Sequence, residues 1–278
     1  MAQGSNDGVQ EVLRLRDELL SLAAQISAKY ANQRFSEKKV VSLLMEYTCE
    51  RRILEELKLR VRCGDEIDKA WRNLHSYAVA LLTERLKNRL SEAGFHVGIV
   101  NEAESPTGFY DILLRINSTG LEIINGDKSI CLEAKTGFSI SLSQLEKYLW
   151  NGVTIILVRF TTSDVIAFRP GDWATLLKAV LIDRIEKARR IIAGKAIIVQ
   201  SVDCKQCPLQ SCRFYNGSPQ EGDRLRKNNS IIKAFEGFKR NAVAAIEAAI
   251  NAVLEELNRA TAQMREAGDH MLPSSLQP

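Results

Sequence analysis

Three charged residues carry the clearest chemical signal in the chain: Asp111 in the apolar run FYDILLRI, and Glu133 and Lys135 in a second run, ICLEAK. Side chains two apart on a strand share a face, so Glu133 and Lys135 point to one side, with Cys131 beside them. A stretch rich in Gly, Asn and Asp separates the runs. A hairpin at Asn125–Asp127 would bring Asp111 alongside Glu133. Two carboxylates beside a lysine form a site for a hard divalent cation and an activated water. Mg2+ or Mn2+ is the expected ion, and phosphodiester hydrolysis the expected chemistry.

A helix expected from near Ser141 carries Gln144 and Tyr148, and an upstream helix carries the segment Trp71-Arg-Asn-Leu-His75. An Asp on one strand followed by E-x-K on the next resembles the PD-(D/E)XK nuclease superfamily, with Tyr110 standing where that family has proline. Gln144-x-x-x-Tyr148 is similar to the QxxxY motif of its RecB-like branch, in which a helical histidine precedes the aspartate. The resemblance implies an α/β fold with a restriction-endonuclease-like mixed sheet core flanked by helices. It further implies a catalytic set of Asp111, Glu133, Lys135, Gln144 and Tyr148, and metal ligands His75, Asp111 and Glu133. The activity it implies is exonucleolytic cleavage of single- or double-stranded DNA. An endonuclease of the same superfamily (a Holliday junction resolvase or restriction enzyme) is the alternative, as is a non-catalytic DNA-binding or scaffold subunit. Glu84 competes with His75 for the helical position. Nine residues separate the two, which puts them on opposite sides of a helix, and His75 is the one bordering the apolar stripe.

Composition sets the bounds. With 278 residues, 45% hydrophobic and 26% charged, the chain is of ordinary globular composition and long enough for a substantial core. Its 38 Lys and Arg against 34 acids leave a formal charge of +4, which permits a nucleic-acid partner without requiring one. No apolar run approaches the length of a membrane span, and the start MAQGSNDG lacks a signal peptide's apolar core. A cytoplasmic location is expected, with no membrane partner. There the six cysteines read as ligands or free thiols rather than disulfides.

Three regions are expected: N-terminal helices over 1–64, the nuclease core with a cysteine clamp over 65–216, and a long helix with a tail over 217–278. Val12, Leu15, Leu19, Leu22 and Ile26 form a heptad-like seam, and Val243, Ile246, Ile250, Val253 and Leu257 form another. These two helices are expected to pack on each other, on a second copy of the chain, or on a helical partner. A second helix is expected from Ser36 to about Val61, ended by Cys63-Gly64. A third, from Glu66 to Ala93, buries Trp71, Leu74, Ala78, Leu82 and Leu86. Strands are expected at His96–Val100, Val153–Phe160, Val165–Phe168 and Ala196–Val202. A helix follows Pro170, with Asp172 as its N-cap. Asn101–Gly108 reads as an acidic loop from which Glu102 and Glu104 approach the metal or face solvent.

Cys204, Cys207 and Cys212 crowd into DCKQCPLQSCRFY, a spacing that suits one metal or cluster held by thiolates. A fourth ligand must come from elsewhere, Cys63 first and Cys49 next, since Cys131 belongs to a core strand. The arrangement resembles the RecB-type nucleases that hold a 4Fe-4S cluster by a C-terminal cysteine triplet and one upstream cysteine. Among these are the CRISPR-associated and AddB-type exonucleases. Structural Zn2+ is the alternative. Arg224, Arg226, Lys227, Lys233, Lys239 and Arg240 add positive charge after this segment, a solvated face or a track for phosphates.

Overall fold

The run of Val, Ile and Leu between residues 97 and 168 folds into one open sheet in the order β1-β2-β3-β4-β5. Its strands are β1 (Val97–Ser105), β2 (Gly108–Ile116), β3 (Ser129–Lys135), β4 (Thr154–Arg159) and β5 (Val165–Phe168). The computed structural model describes residues 3–31, 35–47, 49–58, 66–116, 129–137, 142–199, 204, 212 and 222–269. β1, β2 and β3 pair antiparallel in sequence, β3 and β4 are parallel, and β5 returns antiparallel. The parallel step requires a crossover, supplied by the short helix α5 (Leu142–Leu149). The chain is thus α/β, a mixed sheet with helices on both faces.

Alternation along the strands divides the core in two. Leu113, Cys131, Ile155 and Leu157 face one apolar layer, built with helices α1 (Gln3–Tyr30), α2 (Glu37–Glu46), α3 (Glu50–Glu56), α5 and α6 (Pro170–Ile192). Ile112, Leu114, Leu132, Ala134, Ile156 and Val158 face the other, built with α4 (Glu66–Glu92) and α7 (Gly222–Asp269). The helices of region 1–64 therefore share a core with the sheet. Among the described residues no helix is long and apolar enough to cross a membrane.

Several sequence expectations change here. The two seams do not meet: α1 packs mainly on α6, α7 packs on α4, and the sheet lies between them. Val243, which opens the second seam, is 76% exposed. The helix expected from Ser36 to Val61 is broken at Tyr47, which is extended at φ −109° and ψ 131°. Lys187 enforces the break by donating to the carbonyls of Leu44 (3.3 Å) and Tyr47 (3.0 Å). Residues 101–105 continue β1, because buried Ala103 and Ser105 alternate with exposed Glu102 and Glu104. Residues 196–199 form no strand. Ile197 N–H donates to Glu50 Oε2 at 2.9 Å, and the run stays exposed. Arg169, not Asp172, is the N-cap of α6, with Pro170 opening the helix. The stop at Cys63-Gly64 and the hairpin at 125–127 lie outside the described residues.

Lys187 is 4% exposed, and burial, aided by the positive charge of Arg184, lowers its pKa from 10.5 to about 8. A base whose pKa falls on folding binds fewer protons in the native state between those two values. Stability therefore rises with pH from about 8 to 10.5, and the buried ammonium is a burden below that window. Lys187→Met removes the titration. Measured by denaturant unfolding, the stability of wild type relative to this variant should climb between pH 8 and 10, by up to about 1.4 kcal/mol per pH unit. A difference that stays flat with pH would exclude Lys187 as the titrating group.

Candidate active site

The site forms where β2 and β3 part. Their ladder runs from Arg115↔Ser129 to Ile112↔Leu132 and stops short of Asp111. Asp111 Oδ2 instead accepts the Ala134 N–H at 2.8 Å, so the side chain satisfies a donor that the ladder leaves open. Its other oxygen, Oδ1, lies 3.1 Å from His75 Nε2 on α4. That hydrogen bond raises the pKa of His75 above its ordinary value, against the opposing effect of burial. Glu84 sits on the exposed side of the same helix. His75 and Asp111, with Ser76, Asn101 and Glu102, line a cleft of about 170 Å³.

Glu133 is 1% exposed, and Lys135 Nζ donates to its Oε1 at 2.6 Å. Burial first, and then the charge of Asp111, hold the Glu133 carboxyl above the ordinary carboxylate range. Lys135 also donates to Gln144 Oε1 at 2.6 Å. Gln144 Nε2 donates to the Tyr148 hydroxyl at 2.9 Å, which in turn donates to the Phe109 carbonyl at 2.6 Å. Gln144 and Tyr148 lie four apart on α5 and so share a face. The hydrogen bonds close a circuit from β3 through α5 to β2, next to Asp111. Tyr110 packs its ring on Tyr148 at 5.1 Å, and burial pushes the Tyr148 phenol far up.

Among the described residues no three His, Cys, Asp or Glu side chains lie close enough to form a ready ligand set. The donors still suit a hard cation. Glu133 Oε2 is buried without a hydrogen-bond partner, Asp111 and Glu133 repel each other, and the His75 imidazole beside them is a further donor once it is unprotonated. Cys131, 0% exposed on β3, has its thiol pKa pushed well up by burial and stays an inert core residue.

Of the cysteine set, Cys204 is buried and Cys212 half-buried, while Cys63 and Cys207 lie outside the described residues. Cys49, the second choice for the fourth ligand, caps α3 with its sulfur 4.0 Å from the carbonyl of Ile197, upstream of Cys204.

Two residues beside the site differ from expectation: Glu102 in the element that carries it, and Lys147, which has no sequence signal of its own. Glu102 lies on a strand wall of the cleft rather than in a loop, at φ 50°, while Glu104 pairs with Lys38. The alternation of Glu102 and Glu104 with small Ala103 and Ser105 was the signal for this. Lys147, inside the QxxxY segment, is half-buried; burial lowers its pKa, and its Nζ donates to Ser42 Oγ of α2 at 3.0 Å. Comparison with protein-family models, curated proteins and solved structures finds no match to the chain.

Proposed function

We propose that the chain is a metal-dependent deoxyribonuclease of the RecB-like PD-(D/E)XK type, acting as an exonuclease. The observation that carries this is the convergence of His75 and Asp111 with Glu133, Lys135, Gln144 and Tyr148, from four separate elements, in two hydrogen-bonded sets joined through the backbone of β2 and β3. Asp111, Glu133 and His75 are the residues that would hold Mg2+ or Mn2+. Such an ion, when bound, acidifies a coordinated water and offsets charge on the phosphate. Lys135 carries the cationic Nζ that orients the attacking water and stabilises negative charge building on the phosphate. Gln144 fixes that amine through its carbonyl oxygen, and Tyr148 fixes Gln144. The gathering of these groups beside one cleft, with an oxygen of Glu133 left without a hydrogen-bond partner, favours catalysis over a scaffold role.

Asp111→Asn, Glu133→Gln and Lys135→Met should each lower Mg2+- or Mn2+-dependent cleavage of end-labelled DNA by about 100-fold or more. Combining them should add little, because groups that act as a unit are non-additive. His75→Ala should weaken cleavage or alter the Mn2+ preference, and Glu84→Ala should be silent. Near-wild-type cleavage by Glu133→Gln or Lys135→Met sinks the assignment.

The cysteine segment is assigned a structural centre, 4Fe-4S or Zn2+, with Cys204, Cys207 and Cys212 and an upstream cysteine as ligands. Its support is the buried Cys204 and the anchoring of the preceding segment on Glu50 and Cys49 of α3. A tie between distant points of the chain stabilises by reducing the entropy of the unfolded state. Cys207→Ser should lower the melting temperature and the soluble yield. Anaerobically purified protein should be brown with a cluster, or colourless with about one equivalent of zinc. Protein holding neither metal, with an unchanged melting temperature in Cys207→Ser, refutes the centre.

A further inference from the structure

Phe109 is a large aromatic side chain that neither half of the core uses. It belongs to neither apolar cluster and is 57% exposed. Single exposed apolar residues are ordinary, so its placement has to carry the case.

Three observations define that placement. Tyr110 turns its ring into the core against Tyr148, so its strand neighbours Phe109 and Asp111 point to the opposite face. On that face Asp111 meets His75, and Phe109 stands two residues further along, a distance of about 7 Å. The Phe109 backbone is also fixed, because its carbonyl accepts the Tyr148 hydroxyl, the end of the circuit that holds Lys135. Finally, Lys38 of α2 sets its ammonium 5.0 Å from the centre of the ring while pairing with Glu104, the cross-strand partner of Phe109. One face of the ring is thus backed by a cation, and the side chain remains largely open to solvent.

We infer that Phe109 is a stacking platform for an unpaired base of the nucleic-acid strand whose phosphate reaches Asp111, so that the preferred substrate is a single strand or a frayed end. This rests on the nuclease reading above. An aromatic face accepts any base, because every base presents a π-face, and so it provides affinity without sequence preference. A base within a closed duplex has its faces covered by its neighbours and cannot stack on the ring. Lys38 supports the ring from behind and neutralises Glu104, which would otherwise repel phosphate. The separation from Asp111 along the strand matches the span of about one nucleotide, so stacking a base on the ring would register the adjoining phosphodiester at the carboxylates.

The test compares Phe109→Leu, which keeps an apolar side chain, with Phe109→Trp, which keeps the stacking face. Both are made in an Asp111→Asn background, so that binding is read without cleavage. Binding of fluorescein-labelled oligo-dT and of a blunt hairpin duplex is measured by anisotropy. Phe109→Leu should weaken oligo-dT binding at least about fivefold, Phe109→Trp should hold or improve it, and duplex binding should change in neither. In the active protein the same order should appear in KM for single-stranded DNA, with kcat less affected, and the melting temperature should not move. Equal oligo-dT affinity in all variants overturns the platform, as does an equal loss on single-stranded and duplex DNA. A wild-type protein that binds oligo-dT through Phe109 but cleaves nothing refutes the nuclease reading and leaves the platform standing. A protein that neither binds nor cleaves DNA refutes both.

Discussion

A carboxylate buried to 1% exposure costs several kcal/mol to desolvate, and the surroundings of Glu133 are organised around offsetting that cost. Lys135 supplies a charge-assisted hydrogen bond to one oxygen. That lysine is itself part-buried and gains a second acceptor in Gln144, whose amide finds Tyr148, whose hydroxyl ends on a backbone carbonyl. Each member of the chain answers the donor or acceptor that the previous one would otherwise leave unmade, and an unmade buried hydrogen bond costs more than a made one yields. The second oxygen of Glu133 is left over. Under the proposed function, that is the oxygen a divalent cation would take.

The other half of the site depends on a controlled failure of strand pairing. An unbroken β2–β3 ladder would carry Asp111 past Glu133 with its backbone engaged. Instead the strands separate, and the Asp111 carboxylate takes the Ala134 N–H. The Ala134 donor is thereby satisfied despite the separation, which lowers its cost. Glu102, opposite Asp111 in β1, sits between the paired Asn101↔Ile112 and Ala103↔Tyr110 and absorbs the disturbance in a left-handed conformation. For a residue other than glycine that costs about 1–2 kcal/mol. The regular β3–β4 pairing on the other side, from Ile130↔Thr154 to Lys135↔Arg159, keeps the distortion local.

How much of this was legible in the sequence follows from how local each feature is. Asp111, Glu133 and Lys135 lie in apolar runs that could only be strands, and Gln144 and Tyr148 share a helical face by spacing alone. The position of His75 followed from the apolar stripe of its own helix. Features that depend on partners were not legible. The seam of α1 shows that one face is buried, but nothing in it says whether α6 or α7 covers that face. The apolar run at 196–199 has strand composition, yet no sheet edge receives it, and Glu50 takes its Ile197 amide instead. The acidic pair Glu102 and Glu104, before Pro106 and Gly108, has loop composition and hides the second half of β1. Their alternation with Ala103 and Ser105 marks an edge strand with one wet face. The break after α2 comes from Lys187, distant in sequence and close in space.

The N-terminal helices also bear on the site. α5 has eight residues, too few for an isolated helix to hold its shape in water. Its helicity must come from burial of Leu145, Tyr148 and Leu149, and the core that buries them includes Val40, Leu43 and Leu44 of α2. Lys147 adds a direct bond from α5 to Ser42, and Lys38 reaches from α2 to Glu104 on β1. α5 in turn is the only described source of the Gln144 and Tyr148 groups that hold Lys135. The position of the lysine amine is therefore set by the sheet on one side and by α5 on the other, with α2 among the elements that hold α5 in place. Loss of α2 would remove one wall of the apolar layer around α5 and the Ser42 anchor of Lys147, and so loosen the helix that carries Gln144.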